Sequence, residues 1–293
     1  MTLFFCVSYA LKLPLPSTGN DISGKLSSTT LRENKDLASI ARKHDLGYFE
    51  LIQANPQLNP KHLQSGTLLV LPTKFLIPSV QREGIVINLS TMRLYYFPPG
   101  KNYFYTYPVG IGKQKWNSPL GTFKITQKEE NPVWIVPKSI YEFRKKKGIP
   151  IAKVVQAGPD NPLGKYAMRL SLPTFLIHGT NDPASVGVRS SAGCIHLYPE
   201  DIKQLFSMVT VGTHVHIINQ PYVFGWRGKK LYLDAHLPLA EQRQALKQTA
   251  EEINSFSREY ETHGVMINQA QTRSAVKDHL GIPLEVGEMA SRP

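Results

Sequence analysis

The stretch His178–His196, HGTNDPASVGVRSSAGCIH, places a cysteine and histidines in a setting that suggests a chemical role. It begins directly after the apolar run Thr174–Ile177, which predicts a strand that ends at His178. It ends with Ser191-Ala192-Gly193-Cys194-Ile195-His196. We therefore predict that Cys194 is a nucleophile and that His178 is its proton partner.

The chemistry of a thiol explains why the two side chains would be needed together. A thiol with an ordinary pKa of about 8.5 is mostly protonated at neutral pH, so a nearby imidazole must take its proton or stabilise the thiolate. A nucleophile also needs a tight turn at which backbone N–H groups can face a developing oxyanion. Gly193 permits such a turn and a close approach of substrate.

Two other roles for Cys194 are compatible with the sequence. The cysteine could be structural, or it could bind zinc together with His178, His196, His214 and His216. We expect His214 and His216 to point to opposite faces of a strand, and no HExxH or CxxC pattern accompanies them. The sequence therefore predicts no metal site.

Composition limits the classes of function. The chain has 293 residues, of which 41% are hydrophobic and 10% aromatic, enough for a medium domain with smaller ones. A net charge of +12 favours polyanionic partners, which could be nucleic acid, an anionic membrane surface or an anionic polymer such as bacterial wall. No arginine-rich arm, zinc-ligand pattern or RNA-binding aromatic motif is present, so we predict no nucleic-acid partner. No later apolar run approaches the roughly 20 residues that a membrane-spanning helix needs.

The first residues predict export. Leu3–Leu11 is short and apolar, and Ser8-Tyr9-Ala10 fits a small-x-small cleavage site, so residues 1–10 are interpreted as a signal-peptide remnant. The alternative is an apolar N-terminal strand. Loss of Cys6 with the signal would leave Cys194 as a single thiol in an oxidising compartment, which favours reactivity over a structural disulfide. Residues 12–24 are predicted to be a linker.

Residues 25–75 predict a small domain with the order β-α-α-β. A short strand at Thr29–Leu31, helices at Asp36–Lys43 and Tyr48–Ala54, and a strand at Thr67–Leu71 follow from the apolar spacing and the Pro and Gly breaks. The residues LASIARKHDLGYFELIQANPQLNP followed by SGTLLVLP resemble a LysM module, a family that binds N-acetylglucosamine-containing glycans. The alternative is a packing module without glycan affinity.

The next part of the chain is predicted to be rich in strands. After a connector at residues 73–82, short runs separated by Gly and Pro turns are typical of a sandwich or a partly closed sheet. A basic run, Arg144–Lys147, is predicted to be a solvated loop or a contact for substrate carboxylates. Glu200–Val209 has helical spacing. The predicted strands are Ile85–Leu89, Arg93–Phe97, Tyr103–Val109, Gly121–Gln127, Tyr166–Leu172 and Thr213–Ile218.

These segments together resemble a known family. IHGT and SAGCIH, with GIVINLSTMRLYYF, YPVGIGK, SPLGTFKI and AGPDNPLGKYAMRL upstream, resemble the L,D-transpeptidase (YkuD-type) catalytic domain. The resemblance implies a mainly β fold with a β-sandwich-like catalytic domain at residues 82–219. It also implies a small βααβ LysM-like domain and a C-terminal extension at residues 220–293. In that extension we predict a hairpin at 220–236, a helix at 239–262 and weakly patterned final residues.

The resemblance also implies roles for individual residues. Cys194 would be the acyl-accepting nucleophile, with His178 as proton partner. Ser191 and Gly193 would shape the nucleophile turn. Gly179 and His196 would contribute to the oxyanion or substrate side. Two positions depart from the family pattern: Ala192 stands where histidine is usual, and His196 where arginine or asparagine is usual.

The implied reaction is peptidoglycan acyl transfer. Cys194 would release D-alanine from a tetrapeptide stem and pass the acyl group to an amine, giving a 3–3 cross-link or attaching an outer-membrane lipoprotein. Water as acceptor would give an L,D-carboxypeptidase, and a non-catalytic wall-binding protein is the remaining alternative. The expected partners are peptidoglycan stem peptides and glycan strands, with no cofactor, in the periplasm of a Gram-negative bacterium.

Overall fold

The structure is a computed structural model that describes residues 10–241 and 257–290. Except for Ala10, the predicted signal segment lies outside the described residues. So does most of the predicted helix at 239–262, of which residues 257–262 are described and helical. Of the helices in the described ranges, none combines the length and the apolar character required to cross a membrane.

Among the described residues, strands outnumber helices. The helices are α1 Leu37–Lys43, α2 Tyr48–Ala54, α3 Lys138–Lys146, α4 Pro199–Met208 and α5 Gln269–Asp278, with a 3₁₀ turn at Pro183–Ser185. The strands are β1 Leu11–Pro14, β2 Ile22–Gly24, β3 Ser27–Thr30, β4 Leu68–Leu71, β5 Lys74–Leu76, β6 Gly84–Asn88, β7 Arg93–Phe97, β8 Tyr103–Pro108, β9 Ile111–Gly112, β10 Gly121–Glu130, β11 Trp134–Ile135, β12 Val154–Val155, β13 Tyr166–Leu170, β14 Leu176–His178, β15 Arg189–Ser191, β16 Ile195–His196, β17 His214–Ile218, β18 Tyr222–Arg227, β19 Lys230–Ala235, β20 Val265–Ile267 and β21 Leu284–Met289.

A nine-stranded sheet, in the order β1-β8-β7-β6-β17-β10-β13-β14-β16, forms the body of the catalytic region. The long strand β10 pairs with β17 through its first half and with β13 through its second, with a bulge between Ile125 and Gln127. Because a bulge bends the strand that carries it, the two halves of the sheet curl around one core. The predicted mainly β fold is confirmed.

Burial on both faces explains the continuous apolar sequence of β6. Ile85 and Ile87 belong to the main core, whereas Val86 packs on the other face with Tyr95 and Phe104. A strand covered on both sides has no solvent face and therefore reads as an unbroken apolar run.

The small N-terminal unit has the predicted order of elements. β3 and β4 pair antiparallel, and α1 and α2 lie between them in sequence. Asp36 caps α1 by accepting a hydrogen bond from the Ser39 backbone N–H at 2.9 Å. Leucines and isoleucines from both helices and from β4 form a separate core. The assignment of this unit as a glycan-binding module stays a prediction.

A buried ion pair joins this unit to the large sheet. Arg93 in β7 is 1% exposed and donates to both carboxylate oxygens of Glu50 in α2, at 2.6 and 2.9 Å. The same guanidinium donates to the Asp45 carbonyl at 3.0 Å and to the Thr106 hydroxyl at 3.2 Å. Since burying a charge is costly unless it is paired and hydrogen-bonded, these contacts strongly favour one docked position of the unit.

Several predicted irregular segments are ordered. Residues 12–24 were expected to be a linker, but β1 pairs with β8 and β2 pairs with β5, which lies in the predicted connector. The basic run Arg144–Lys147 begins within α3 and is not a loop. The final residues form β20, α5 and β21, and these strands complete a four-stranded sheet with the predicted hairpin β18–β19. Short strands of this kind are defined by their pairing partners, which local sequence does not specify.

We expect Arg93→Ala to lower the free energy of unfolding by about 3–5 kcal/mol, because it leaves the buried Glu50 carboxylate unpaired. Urea denaturation followed by tryptophan fluorescence measures the change. Arg42→Ala is the matched control: Arg42 also bridges the unit to the catalytic region, through Glu200 at 2.8 Å, but its side chain is 43% exposed. Its loss should cost about 1 kcal/mol or less. Equal losses of unfolding free energy in the two variants would contradict a special stabilising role for the buried Arg93–Glu50 pair.

Candidate active site

Parallel pairing of β14 with β16 brings the two ends of the His178–His196 stretch together. Ile177 is opposite Ile195 and His178 is opposite His196. Cys194 directly precedes β16, so it lies beside the strand that ends at His178. Its side chain is half-buried, and the thiol donates to the Thr174 carbonyl at 3.7 Å. The structure therefore places the predicted nucleophile and proton partner on neighbouring strands.

His178 is held in one tautomer by its neighbour in the chain. The ring is buried, and Nδ1 lies 2.6 Å from the carbonyl oxygen of Gly179. Because a carbonyl oxygen only accepts, Nδ1 must carry the proton. The neutral ring then has its lone pair on Nε2, the nitrogen that can accept a thiol proton. Gly179 thus contributes through its carbonyl group.

Burial keeps both partners uncharged. It lowers the pKa of His178 to about 3, and the neighbouring His196 adds to this effect. Burial raises the pKa of Cys194 to about 11, although a hydrogen bond from the Leu176 backbone partly opposes it. At neutral pH the site therefore holds a thiol and a neutral imidazole, and proton transfer must accompany nucleophilic attack.

Ser191 fixes the turn that presents the cysteine. Its hydroxyl donates to the Cys194 carbonyl at 2.6 Å and accepts from the Gly193 N–H at 3.1 Å. Gly193 has φ +112°, and a Cβ there would lie 2.8 Å from the ring of Phe175. The Gly193 N–H is thus used within the turn. The Cys194 N–H has no acceptor within the described ranges and is the better candidate to face an oxyanion.

His196 lies behind the proton partner. Its ring stacks on that of His178 with centroids 6.0 Å apart, and its Nε2 contacts the hydroxyl and carbonyl oxygens of Ser185 at 2.9 and 3.1 Å. A Cβ at Gly110 would lie 2.0 Å from this nitrogen, so only glycine leaves room for the ring. These contacts suit a residue that positions His178. The oxyanion or substrate role of His196 stays a prediction.

Arg189 and Ser185 support the site and were not identified from the sequence. Arg189 donates to the Gly112 carbonyl at 3.1 Å and forms a two-point ion pair with Glu241 at 2.8 and 2.9 Å. The loop after β9 then reaches the nucleophile turn, where the Lys113 N–H donates to the Ser191 carbonyl at 3.0 Å. In the sequence, the signal for this close packing between the loop after β9 and the nucleophile turn was the pair of glycines in Val109-Gly110-Ile111-Gly112.

The other two histidines lie elsewhere in the sheet. His214 and His216 are in β17, which β10 and β13 separate from β14. Their ring centroids are 6.2 Å apart, so the two side chains share a face. The expectation of opposite faces was wrong, because residues two apart in a strand point to the same side.

We expect the alkylation of Cys194 by iodoacetamide to rise about tenfold per pH unit from pH 6 to 9.5 without a plateau. The raised thiol pKa keeps the thiolate fraction small over this range. Peptide mass mapping separates Cys194 from Cys6, and the urea-unfolded chain, with a plateau near the ordinary thiol pKa, is the control. A plateau below pH 7 in the folded protein would instead indicate a preformed thiolate–imidazolium pair.

The catalytic region matches a known protein family. Residues 82–217 match the family model YkuD, described as the L,D-transpeptidase catalytic domain. The probable L,D-transpeptidase YcfS of Escherichia coli (strain K12) is 37% identical over 310 residues, which cover 98% of this chain and 94% of that protein.

Two further relatives have similar names. The probable L,D-transpeptidase ErfK/SrfK of Salmonella typhimurium is 37% identical over 241 residues, covering 80% of this chain and 77% of that protein. The probable L,D-transpeptidase YbiS of Escherichia coli (strain K12) is 32% identical over 292 residues, covering 96% and 94%. With this similarity along nearly its whole length, the chain belongs to the L,D-transpeptidase family.

Proposed function

We propose that this protein is a peptidoglycan L,D-transpeptidase that works through a covalent acyl-enzyme on Cys194. The observation that carries the proposal is the hydrogen bond from His178 Nδ1 to Gly179, which leaves Nε2 as a base on the strand beside the cysteine. The substrate would be a tetrapeptide stem, cleaved between the L-centre of diaminopimelate and the terminal D-alanine.

The reaction follows from the neutral state of the pair. As Cys194 Sγ attacks the carbonyl carbon, its proton passes to His178 Nε2, and the Cys194 N–H faces the developing oxyanion. The C–N bond to D-alanine then breaks, and the imidazolium returns the proton to the leaving amine. A thioester remains. An acceptor amine attacks the thioester carbon and loses a proton to His178. The C–S bond then breaks, leaving the new amide, and the imidazolium returns the proton to the sulfur, which restores the thiol.

A basic helix beside the nucleophile turn fits a substrate rich in carboxylates. α3 carries Arg144 and Lys146 in its last turn, and its Phe143 packs edge-on against Trp116 at 5.7 Å. Trp116 precedes Asn117, whose carbonyl oxygen would lie 3.3 Å from a Cβ at Gly193. The positive charge is therefore held within the surroundings of the cysteine, where it would attract stem-peptide carboxylates.

The acceptor and the location are part of the same proposal. The acceptor would be the amine of a neighbouring diaminopimelate, giving a 3–3 cross-link, or the C-terminal lysine of an outer-membrane lipoprotein. With water, the enzyme would act as an L,D-carboxypeptidase. The βααβ unit would hold the enzyme on glycan strands, and the predicted signal segment would direct it to the periplasm. The alternative is a non-catalytic wall-binding protein, which a carbapenem would not acylate on Cys194.

We expect a carbapenem to acylate the protein on Cys194 and to increase its intact mass by one drug molecule. His178→Ala should slow acylation by about 10²-fold or more, because the base that takes the thiol proton is lost. Intact mass spectrometry over time measures the rate, with Cys194→Ala as the control that should show no adduct. An adduct on Cys194→Ala, or no adduct on the wild type, would contradict the role of Cys194 as the catalytic nucleophile.

We expect purified enzyme and tetrapeptide muropeptides to give 3–3 cross-linked dimers and free D-alanine, both absent with Cys194→Ala. Liquid chromatography with mass spectrometry identifies the products. A lipoprotein-derived peptide with a C-terminal lysine, added as a competing acceptor, would be consumed if lipoprotein attachment is the activity. Tripeptide alone, without any dimer or lipopeptide conjugate, would assign the enzyme as a carboxypeptidase and would contradict the transpeptidase proposal.

A further inference from the structure

A second group of ligand-type side chains lies on and beside β17, away from the strands that carry Cys194. Glu83, His214 and His216 each offer one ligand atom, and the three atoms lie within 4.8 Å of one another. We propose that these residues form a binding site for a divalent transition-metal ion. Two imidazoles with one carboxylate are a donor set that suits zinc.

The backbone brings the three residues together. In β17, Val215 is fully buried in the core, so His214 and His216 lie on the other face of the strand. Gly84 begins the parallel neighbour β6 with φ +58°, and a Cβ there would lie 2.6 Å from the His214 carbonyl oxygen. This close passage of the chain, which glycine permits, brings Glu83 beside His214.

His216 has the arrangement usual for a metal-bound histidine, with one ring nitrogen beside a hydrogen-bonding group and the other available to a metal. Its Nδ1 lies 3.0 Å from the hydroxyl of Thr122, the residue opposite it on β10. Its Nε2 is enclosed and has no hydrogen-bond partner in the described part of the chain. A buried polar atom without a partner is costly, and a metal ion at Nε2 would satisfy it while Thr122 accepts from Nδ1–H.

The distances are close to those of a tetrahedral site. Ligand atoms bound at about 2.0–2.1 Å to one tetrahedral ion are about 3.4 Å apart. His214 Nδ1 and Glu83 Oε1 are already 3.5 Å apart. Since the three atoms lie within 4.8 Å of one another, a shift of at most about 1.4 Å brings each pair to that spacing. The Glu83 and His214 side chains are 47% and 43% exposed and therefore have room to make it.

A cavity supplies the fourth position. Glu83, Gly84 and His214 line a surface cavity of about 610 Å³, from which a water molecule can complete the coordination. A bound ion would connect the residue that precedes β6 to β17, its parallel neighbour in the sheet. The site would therefore stabilise the catalytic sheet and take no part in acyl transfer.

The test uses the untagged full chain with Cys6→Ser and Cys194→Ser, which removes both thiols as competing ligands. We expect isothermal titration with Zn²⁺ to give one equivalent bound, and Co²⁺ to give visible absorption bands typical of low-coordinate nitrogen and oxygen ligation. Crystals soaked in Zn²⁺ should show an anomalous peak about 2.0–2.2 Å from the three side chains. No saturable binding of either ion would overturn the proposal.

Variants locate the site. His216→Gln and Glu83→Gln should abolish the stoichiometric binding, and Thr122→Val should weaken it by about 10–100-fold, the usual effect of losing a partner behind a ligand. His62→Gln, an exposed histidine in the βααβ unit, is the matched control and should leave binding unchanged. Equal affinity in His216→Gln and the parent would overturn the assignment, and circular dichroism confirms that each variant is folded.

Discussion

The parallel pairing of β14 with β16 is the contact on which the site depends. Parallel neighbours require a crossover, and here residues 179–194 form it without an α-helix. The crossover is held at several points, by Ser185 against His196 and by Arg189 against Gly112 and Glu241. The Ser185 contact holds the middle of the segment against β16, and the Arg189 contacts hold its end at β9 and Glu241, so that the chain returns with Cys194 beside the strand of His178.

The same enclosure determines the electrostatics. A buried imidazole with its Nδ1–H donated to a backbone carbonyl is neutral, and a thiol in the same surroundings stays protonated. With both groups uncharged, transfer of the thiol proton to His178 is coupled to nucleophilic attack.

The crossover is also the point where the small N-terminal unit meets the catalytic region. The Phe49 N–H donates to the Gly187 carbonyl at 3.2 Å, and the Tyr198 hydroxyl donates to the Leu46 carbonyl at 3.0 Å. A Cβ at Gly187 would lie 2.3 Å from the Tyr48 nitrogen, so glycine is required at this contact. Together with the Arg93–Glu50 pair, these bonds make the βααβ unit part of the frame that supports the site.

The sequence by itself determined the elements whose signals are local. The apolar run before His178, the helical spacing around Ile40 and the Gly193-Cys194 turn are each read from adjacent residues, and the family resemblance assembled them into an L,D-transpeptidase. Only the tertiary structure decided which strands pair and what each buried polar atom contacts. The tautomer of His178, the Ser185 contact of His196 and the strands in the predicted linker depend on groups distant in sequence, and no local pattern encodes those distances.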